Sequence, residues 1–482
     1  MRLKLLNFYT QISREIKMFK ITAALAFIAG FRFFGLFVVM PTLALYLTTL
    51  SVNDGILSVL QGFGISKMTL FGFAISAYAI SQIAFQVPFG ILGDKYSKRA
   101  VITFGLVIFA LGSLICAFAT SIEMMILGRI LQGSGAIGSV ISAKITDLIP
   151  EEKRGSAMAF MGICIFISFI VAMIVGPLVG ASFGTNKLFL LTAFLAILVI
   201  IPLWTIVPKA PHLEYFGGDS QSYFKLFANK NLVILNVSVA VQKFLMTFVF
   251  VLIPIVLVRH LGMAEGKIWI VFTLSAIAGL FSIAPSMIIS ERKKLPKEML
   301  LLSIALFGVA FTLMGFGDSN KSLVPYTLGV VVFFCAFCIS EPILQNLASK
   351  YPKMREKSLS LGIFTTFGFI GSFLGGIIAG YTYEATFAKI EYIVAVAMIA
   401  WFALMFALKN PRAQENLYLK LDFGVDSHFK SIAEINAIDG VIESYINNNE
   451  NLLVVKFDNT MIDKEAVEKA VREQETRFCA KF

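Results

Sequence analysis

The chain has 482 residues, of which 57% are hydrophobic and only 15% charged, with a mean hydropathy of +0.82. That balance excludes a water-soluble globular protein of this length, because so much apolar surface has to be covered by lipid. The net charge of +11 is unevenly spread: from Glu415 onward acids outnumber bases by 13 to 8, so the positive excess lies in the apolar part. It reads there as a membrane-topology signal, and no nucleic-acid partner is expected.

The first twenty residues carry Arg2, Lys4, Arg14, Lys17 and Lys20 against a single acid, Glu15. The apolar run behind them has spanning length and no small-residue cleavage site, so it reads as a retained first span and not as a signal peptide. A bilayer crossing needs roughly 20 apolar residues. Twelve such segments are predicted, at 21–49, 69–92, 100–119, 122–148, 156–182, 187–207, 231–258, 267–289, 298–316, 323–348, 358–382 and 389–408. The polar stretch 208–230, with Pro211, Gly217 and Gly218, divides them six and six. The expected organisation is a six-helix half over 1–207, a linker over 208–230, a second six-helix half over 231–411 and a tail domain over 412–482. Two halves of six suggest a parallel internal repeat with a solute path between them. Pro88 precedes Asp94 as Pro285 precedes Glu291, and Ile130-Leu131-Gln132 recurs as Ile343-Leu344-Gln345.

With an even number of spans, the segments on the side of the termini hold 23 Lys plus Arg, and the opposite loops hold 6. The positive-inside rule then puts both termini in the cytoplasm. On that side lies Gly90-Ile91-Leu92-Gly93-Asp94-Lys95-Tyr96-Ser97-Lys98-Arg99, two glycines, one carboxylate and three cations between two apolar runs. It reads either as a tight hinge, in which close glycines admit a neighbouring helix, or as a short solvated turn.

Charges inside spans are where function is sought, because each is costly unless paired or wet. Arg32 in span 1, Arg129 in span 4, Lys243 in span 7 and Glu341 in span 10 are the deep ones. Each is either part of a proton-coupling and solute site or half of an ion pair that fixes helix packing. At ~1.5 Å per residue, Lys243 and Glu341 lie roughly 20 and 13 Å from the cytoplasmic ends of their spans, near enough to meet. Pro342 frees backbone groups beside Glu341, which suits a cavity lining.

Several of these stretches resemble motifs of the major facilitator superfamily. Gly90, Leu92, Asp94, Lys95, Lys98 and Arg99 are similar to its motif A. Arg129-Ile130-Leu131-Gln132-Gly133 is similar to motif B, and Gly176-Pro177-Leu178-Val179-Gly180 to motif C. The resemblance implies that Asp147 partners the motif A cations and that Gly90, Asp94, Lys95, Lys98, Arg99 and Asp147 form a conformational switch, with Asp94 meeting cations or the start of span 11 near Ser358. Departures are Ser97 for a glycine, Lys98 for an arginine and Ala172 for a glycine. Because Lys lacks the planar fork of Arg, a looser Lys98 to Asp147 contact is expected. Motif C implies a proton-driven antiporter for a small drug-like solute, working by alternating access in a bacterial inner membrane, as a monomer. The alternatives are a proton symporter for a metabolite, or a sensor that signals through its tail.

The tail has its own pattern. Leu417, Leu419 and Leu421 alternate as a strand, Asp426 begins a helix towards Asp439-Gly440, and 441–446 and 452–457 flank an Asn-rich turn as a hairpin. A second helix from Asp463 and a last strand over 476–481 complete the order β-α-β-β-α-β. The fold class is thus an all-α membrane protein of twelve helices plus a small α+β, ferredoxin-like domain. The tail also resembles heavy-metal-associated domains, but Ser427 and Lys430 stand where their cysteines would be, and His428 alone makes no site, so no metal is expected. The five cysteines, at 116, 164, 335, 338 and 479, form no metal or disulfide pattern. With no Walker A loop, triad spacing or cofactor motif, neither an enzyme nor a cofactor is expected, and the partners are a small-molecule substrate, protons and the lipid bilayer. The orientation is open to test with an impermeant thiol reagent on intact cells. It should modify a cysteine placed at 54 and spare cysteines at 218 and 430; the reverse pattern inverts the topology.

Overall fold

The computed structural model describes residues 2–482 except 56–57, 59–61, 63–65, 210–228, 353–356, 383–386, 409–413, 421–434, 448–451, 460 and 480–482. Lipid offers the backbone no hydrogen bonds, so the apolar part is helical throughout. Its helices are α1 (Arg2–Phe37), α2 (Met40–Leu47), α3 (Lys67–Lys95), α4 (Lys98–Ala117), α5 (Ile122–Ser134), α6 (Gly138–Leu148), α7 (Glu151–Phe183), α8 (Thr185–Leu198), α9 (Ile200–Thr205), α10 (Lys230–Ile255), α11 (Ile268–Arg292), α12 (Pro296–Ser319), α13 (Leu323–Lys350), α14 (Lys357–Thr382) and α15 (Phe387–Phe406). Side chains bond the free amides at several starts: Ser66 accepts from Thr69 N, Ser121 from Met124 N, and Asn229 from Asn231 N and Leu232 N.

Three predicted spans are interrupted. The first breaks at Val38 and Val39 between α1 and α2, the fourth at 135–137 between α5 and α6, and the sixth at Val199 between α8 and α9. The basic amino-terminal segment is helical and continuous with the first span. Among the described residues, 11 segments are long and apolar enough to cross a membrane, and Val396–Phe406 is a shorter apolar piece of α15.

The tail contributes β1 (Gln414–Lys420), β2 (Val441–Asn447), β3 (Leu452–Asp458) and α16 (Lys464–Cys479). The sheet order is β1-β3-β2, with β3 antiparallel to both neighbours and Leu417 opposite Val455. Leu417, Ile435, Leu453, Val455, Phe457, Val467 and Val471 form its core. The strand expected over 476–481 is not formed, because α16 runs on to Cys479. Good helix formers and an i,i+4 pair, Arg472 to Glu468 at 2.7 Å, favour helix there. Most of the helix expected after Asp426, the Ser427–Lys430 loop, the Asn448 and Asn449 part of the turn, and most of the linker lie outside the described residues.

The bundle's two ends differ. At the end away from the tail sheet, α14 is pressed between α3 and α10 by glycines. A Cβ on Gly371 would overlap the Ala240 carbonyl oxygen, one on Gly375 that of Phe244, one on Gly72 the Gly376 carbonyl, and one on Gly380 that of Met68. Small residues permit such approach where lipid supplies no hydrophobic drive between helices. Phe73 against Phe373 and Tyr78 against Phe369 continue the α3–α14 seam inward. At the tail end, Gly90 faces open space and Asp94 is exposed.

The tail is anchored to the bundle. Leu453, Val455 and Phe457 of β3 face the tail's own core, while buried Lys456 on the opposite face donates to the carbonyls of Lys350 at 3.1 Å and Pro352 at 3.2 Å. Gly371→Val drives two methyls and a Cβ into the α10 backbone and should lower stability by about 1–3 kcal/mol or more. Thermal unfolding of the purified protein checks this, with Gly308→Val, whose Cβ meets nothing within 4 Å, as the silent control.

Candidate functional site

Most of the buried charges of the bundle are cations. Arg32, Arg99, Arg129 and Lys144 are each under 9% exposed, and among the described acids the Asp147 carboxylate is buried with them. Each finds a different solution to the low dielectric around it.

Lys243 of α10 and Glu341 of α13 are brought together at mid-depth. The ammonium donates to both carboxylate oxygens at 2.8 Å, and the two side chains keep 19% and 15% of their surface. Gln345, one turn on, donates to Glu341 Oε1 at 3.1 Å, and the Phe337 ring lies 5.0 Å from the Lys243 ammonium. Beside them Gln242 donates to Ser340 Oγ at 2.8 Å. Phe337 also belongs to a cluster of rings. Phe169 of α7 lies 5.4 Å from Phe337, 6.4 Å from Phe334, 6.3 Å from Phe250 and 5.1 Å from Phe37.

Among the described residues Arg129 meets no acid. Its guanidinium donates to Gln132 Oε1 at 2.7 Å and to the Ile75 carbonyl at 3.1 Å, and stacks 4.7 Å from the Tyr78 ring. Gln132 in turn donates to Ser113 Oγ at 2.7 Å, which ties α5 to α4. Arg32 is 3% exposed; its Nε and Nη2 have no hydrogen-bond partner among the described residues, and Phe33 is 6.0 Å away. Arg32 and Arg129 are thus not joined to the Lys243 and Glu341 pair.

At the tail end, Lys98 reaches Asp147 at 2.9 Å, with 14% and 4% of the side chains exposed. The contact runs from the ammonium to one carboxylate oxygen, Oδ2. Lys144, three residues before Asp147 on the same helix face, sits within electrostatic reach of Asp147, Lys98 and Arg99. Arg99 leaves this group: it donates to the Trp204 carbonyl at 3.1 Å and stacks 4.5 Å from the Trp204 ring. Asp94 and Lys95 are exposed, and Asp94 makes no ion pair among the described residues. Its expected counterpart near Ser358 falls outside the described side chains.

The motif C glycines serve packing. A Cβ on Gly176 would overlap the Val38 carbonyl oxygen and one on Gly180 would sit 2.8 Å from Thr42 Cγ2, so α7 touches the α1–α2 break directly, with Pro177 between them in the helix. In the second half the counterpart of Asp94 is engaged. Glu291 accepts from Lys350 at 2.8 and 3.0 Å and from Asn346. Sequence reading missed Lys144, Gln345, Phe337 and Trp204. The i,i+3 spacing of Lys144 to Asp147 and the i,i+4 spacing of Glu341 to Gln345 and to Phe337 were available signals; nothing local pointed to Trp204.

Replacing a buried pair leaves less strain than halving it. Lys243→Met alone should therefore destabilise by about 3–5 kcal/mol, and adding Glu341→Leu should restore most of that loss. A double-mutant cycle on thermal unfolding measures it, and additive losses would show that the pair carries no such coupling.

Comparison with known proteins follows from this geometry. The model of the family described as Major Facilitator Superfamily matches residues 22–245 and 235–431. The chain is 29% identical over 457 residues to the inner membrane transport protein YajR of Escherichia coli (strain K12), covering 94% of this chain and 97% of that protein. It is 22% identical to multidrug resistance protein 1 of Bacillus subtilis (strain 168), over 71% of this chain and 88% of the relative. The crystal structure of a D-xylose-proton symporter superposes with a TM-score of 0.67 at 14% identity, covering 82% of this chain and 98% of that one, a likeness of fold.

Proposed function

Because the chain belongs to the major facilitator superfamily, and is therefore a secondary transporter and not an enzyme, we propose that it couples movement of a small organic solute to protons through Glu341. The observation that carries the reading is the Lys243 to Glu341 pair, held at 2.8 Å yet 19% and 15% exposed. A carboxylate at that depth is stabilised by the cation, and partial exposure gives it a route to exchange protons with water. The packed far end and the exposed tail end of the bundle fit one of the two states that alternating access requires.

In this proposal the tail end is the cytoplasmic one in a bacterial inner membrane, as the Lys plus Arg surplus supports, and the protein acts as a monomer. Its halves are 1–207 and 231–411, joined by 208–230 and followed by the tail from 412. Gly90, Asp94, Lys95, Lys98, Arg99 and Asp147 form its switch, of which Lys98 to Asp147 is made and Asp94 has no ion pair among the described residues. Proton-driven efflux of a drug-like solute is supported by the resemblance to motif C and by the name of the multidrug resistance relative. Symport is the second reading, and one observation favours it. Lys243 spans both oxygens of Glu341, so a proton arriving on Glu341 frees a cation that can take an anionic solute in the same step.

Proteoliposomes screened for solute-induced proton flux test both. The direction of the internal pH change separates exchange from symport. Glu341→Gln should keep solute binding and lose the accumulation driven by a proton gradient, together with its pH dependence. Unchanged proton stoichiometry in that variant would make the pair structural.

A further inference from the structure

The rings around Phe169 link the ion pair to the seam between the two groups of helices. Phe169 belongs to α7, in the first group, and touches Phe250 of α10 and Phe334 and Phe337 of α13, all in the second. Phe250, Phe334 and Phe337 are each at most 3% exposed, and Phe169 is 4% exposed. Phe272 of α11 extends the cluster, 5.9 Å from Phe250 and 6.1 Å from Phe334. Phe169 cannot leave this cluster unless the two groups part.

Phe337 has two neighbours of different kinds. The Lys243 ammonium lies 5.0 Å from its centroid, and the Phe169 ring lies 5.4 Å away. Phe337 precedes Glu341 by four residues, one helical turn, so the two present to the same face with Lys243 between them. The carboxylate pulls the ammonium from one side while the electron-rich ring attracts it from the other. The ring's position on Phe169 is thereby tied to where the ammonium sits, and that in turn is tied to the charge on Glu341.

We infer that Phe337 is the positioning residue through which protonation of Glu341 loosens the Phe169 cluster and lets the far end of the bundle open. The inference rests on the proposed role of Glu341. A neutral Glu341 no longer holds Lys243. An ammonium without a counter-charge at this depth turns towards the water that already reaches 19% of its side chain, and it uncovers the ring face. The ring, no longer fixed by the cation, turns off Phe169, and the contact across the seam weakens. Among the described residues Lys243 is the charged group facing Glu341 from the helices packed on α13. Gln345, the Gln242 and Ser340 pair and the Cys338 thiol around it are neutral.

Distances between encoded spin-labelled residues at 54 and 320, exposed positions at the far ends of the two groups, report the opening in liposomes and leave the five cysteines in place. No solute is needed, so the test does not depend on knowing it. In the otherwise unaltered chain the far-end-open population should rise as pH falls. Phe337→Leu should reduce that pH-driven rise by about tenfold, the scale of a desolvated cation–π contact, and Phe337→Tyr should restore it. If Phe337→Leu is not recovered folded, Phe337→Met carries the same expectation. A Phe337→Leu profile matching the parent overturns the inference, as does equal damage by Leu and Tyr, which would mean packing alone. If the parent shows no pH response, or Glu341→Gln keeps it, the proton-coupling reading itself fails and the inference with it.

Discussion

Backbone-to-backbone contact of α14 with α3 on one side and α10 on the other is the constraint from which the rest of the architecture follows. Lipid gives two helices no hydrophobic reason to associate, so their attraction comes from packing, and packing is strongest where no side chain intervenes. Gly371 and Gly375 meet α10 within the second group, while Gly72, Gly376 and Gly380 bridge the groups. The same helix therefore stabilises one half and joins it to the other. That joint is confined to the far half of α3 and α14, which leaves the tail-end stretch around Gly90 free to be covered or uncovered without breaking α14 from α10.

The second constraint is electrostatic. A bundle whose buried charges are mostly cations needs acceptors, and the chain supplies them unevenly. Arg129 is met by neutral oxygens and a ring, Arg99 by a carbonyl and an indole, Lys98 by Asp147. Glu341 differs in place: it lies near the middle of the bundle, keeps 15% of its side-chain surface and accepts from Lys243 through both oxygens. The Nε and Nη2 of Arg32 have no hydrogen-bond partner among the described residues.

The membrane class and the meeting of Lys243 with Glu341 were legible in the sequence, because apolar run length and helical rise are local quantities; of the twelve crossings expected, 11 are long and apolar enough among the described residues. The breaks at 38–39, 135–137 and 199 were not foreseen, because run length ignores the local breakers beside them: Pro41 at the start of α2, Gly133, Gly135 and Gly138 around the second, and Pro202 after the third. In the tail, alternation found β1, β2 and β3, but a last strand was expected where helix-forming residues extend α16. Helix propensity decided there, and the strand order alone could not. Of the site, the charged residues announced themselves by being rare in apolar runs. Phe337 did not, because 47 phenylalanines hide one that faces an ammonium.

Lys456 closes two carbonyls at the end of α13 from more than a hundred positions further along the chain. A ribosome makes the chain from its amino end, so these carbonyls are released long before their donor exists. Through the synthesis of α14, α15 and the first two strands this donor is absent. The end of α13, where Lys350 also grips Glu291, is thus completed among the last events of biogenesis, once β3 has paired with its neighbours. The tail serves in this sense as a late seal on the second half, one that a newly inserted but unfinished chain does not possess.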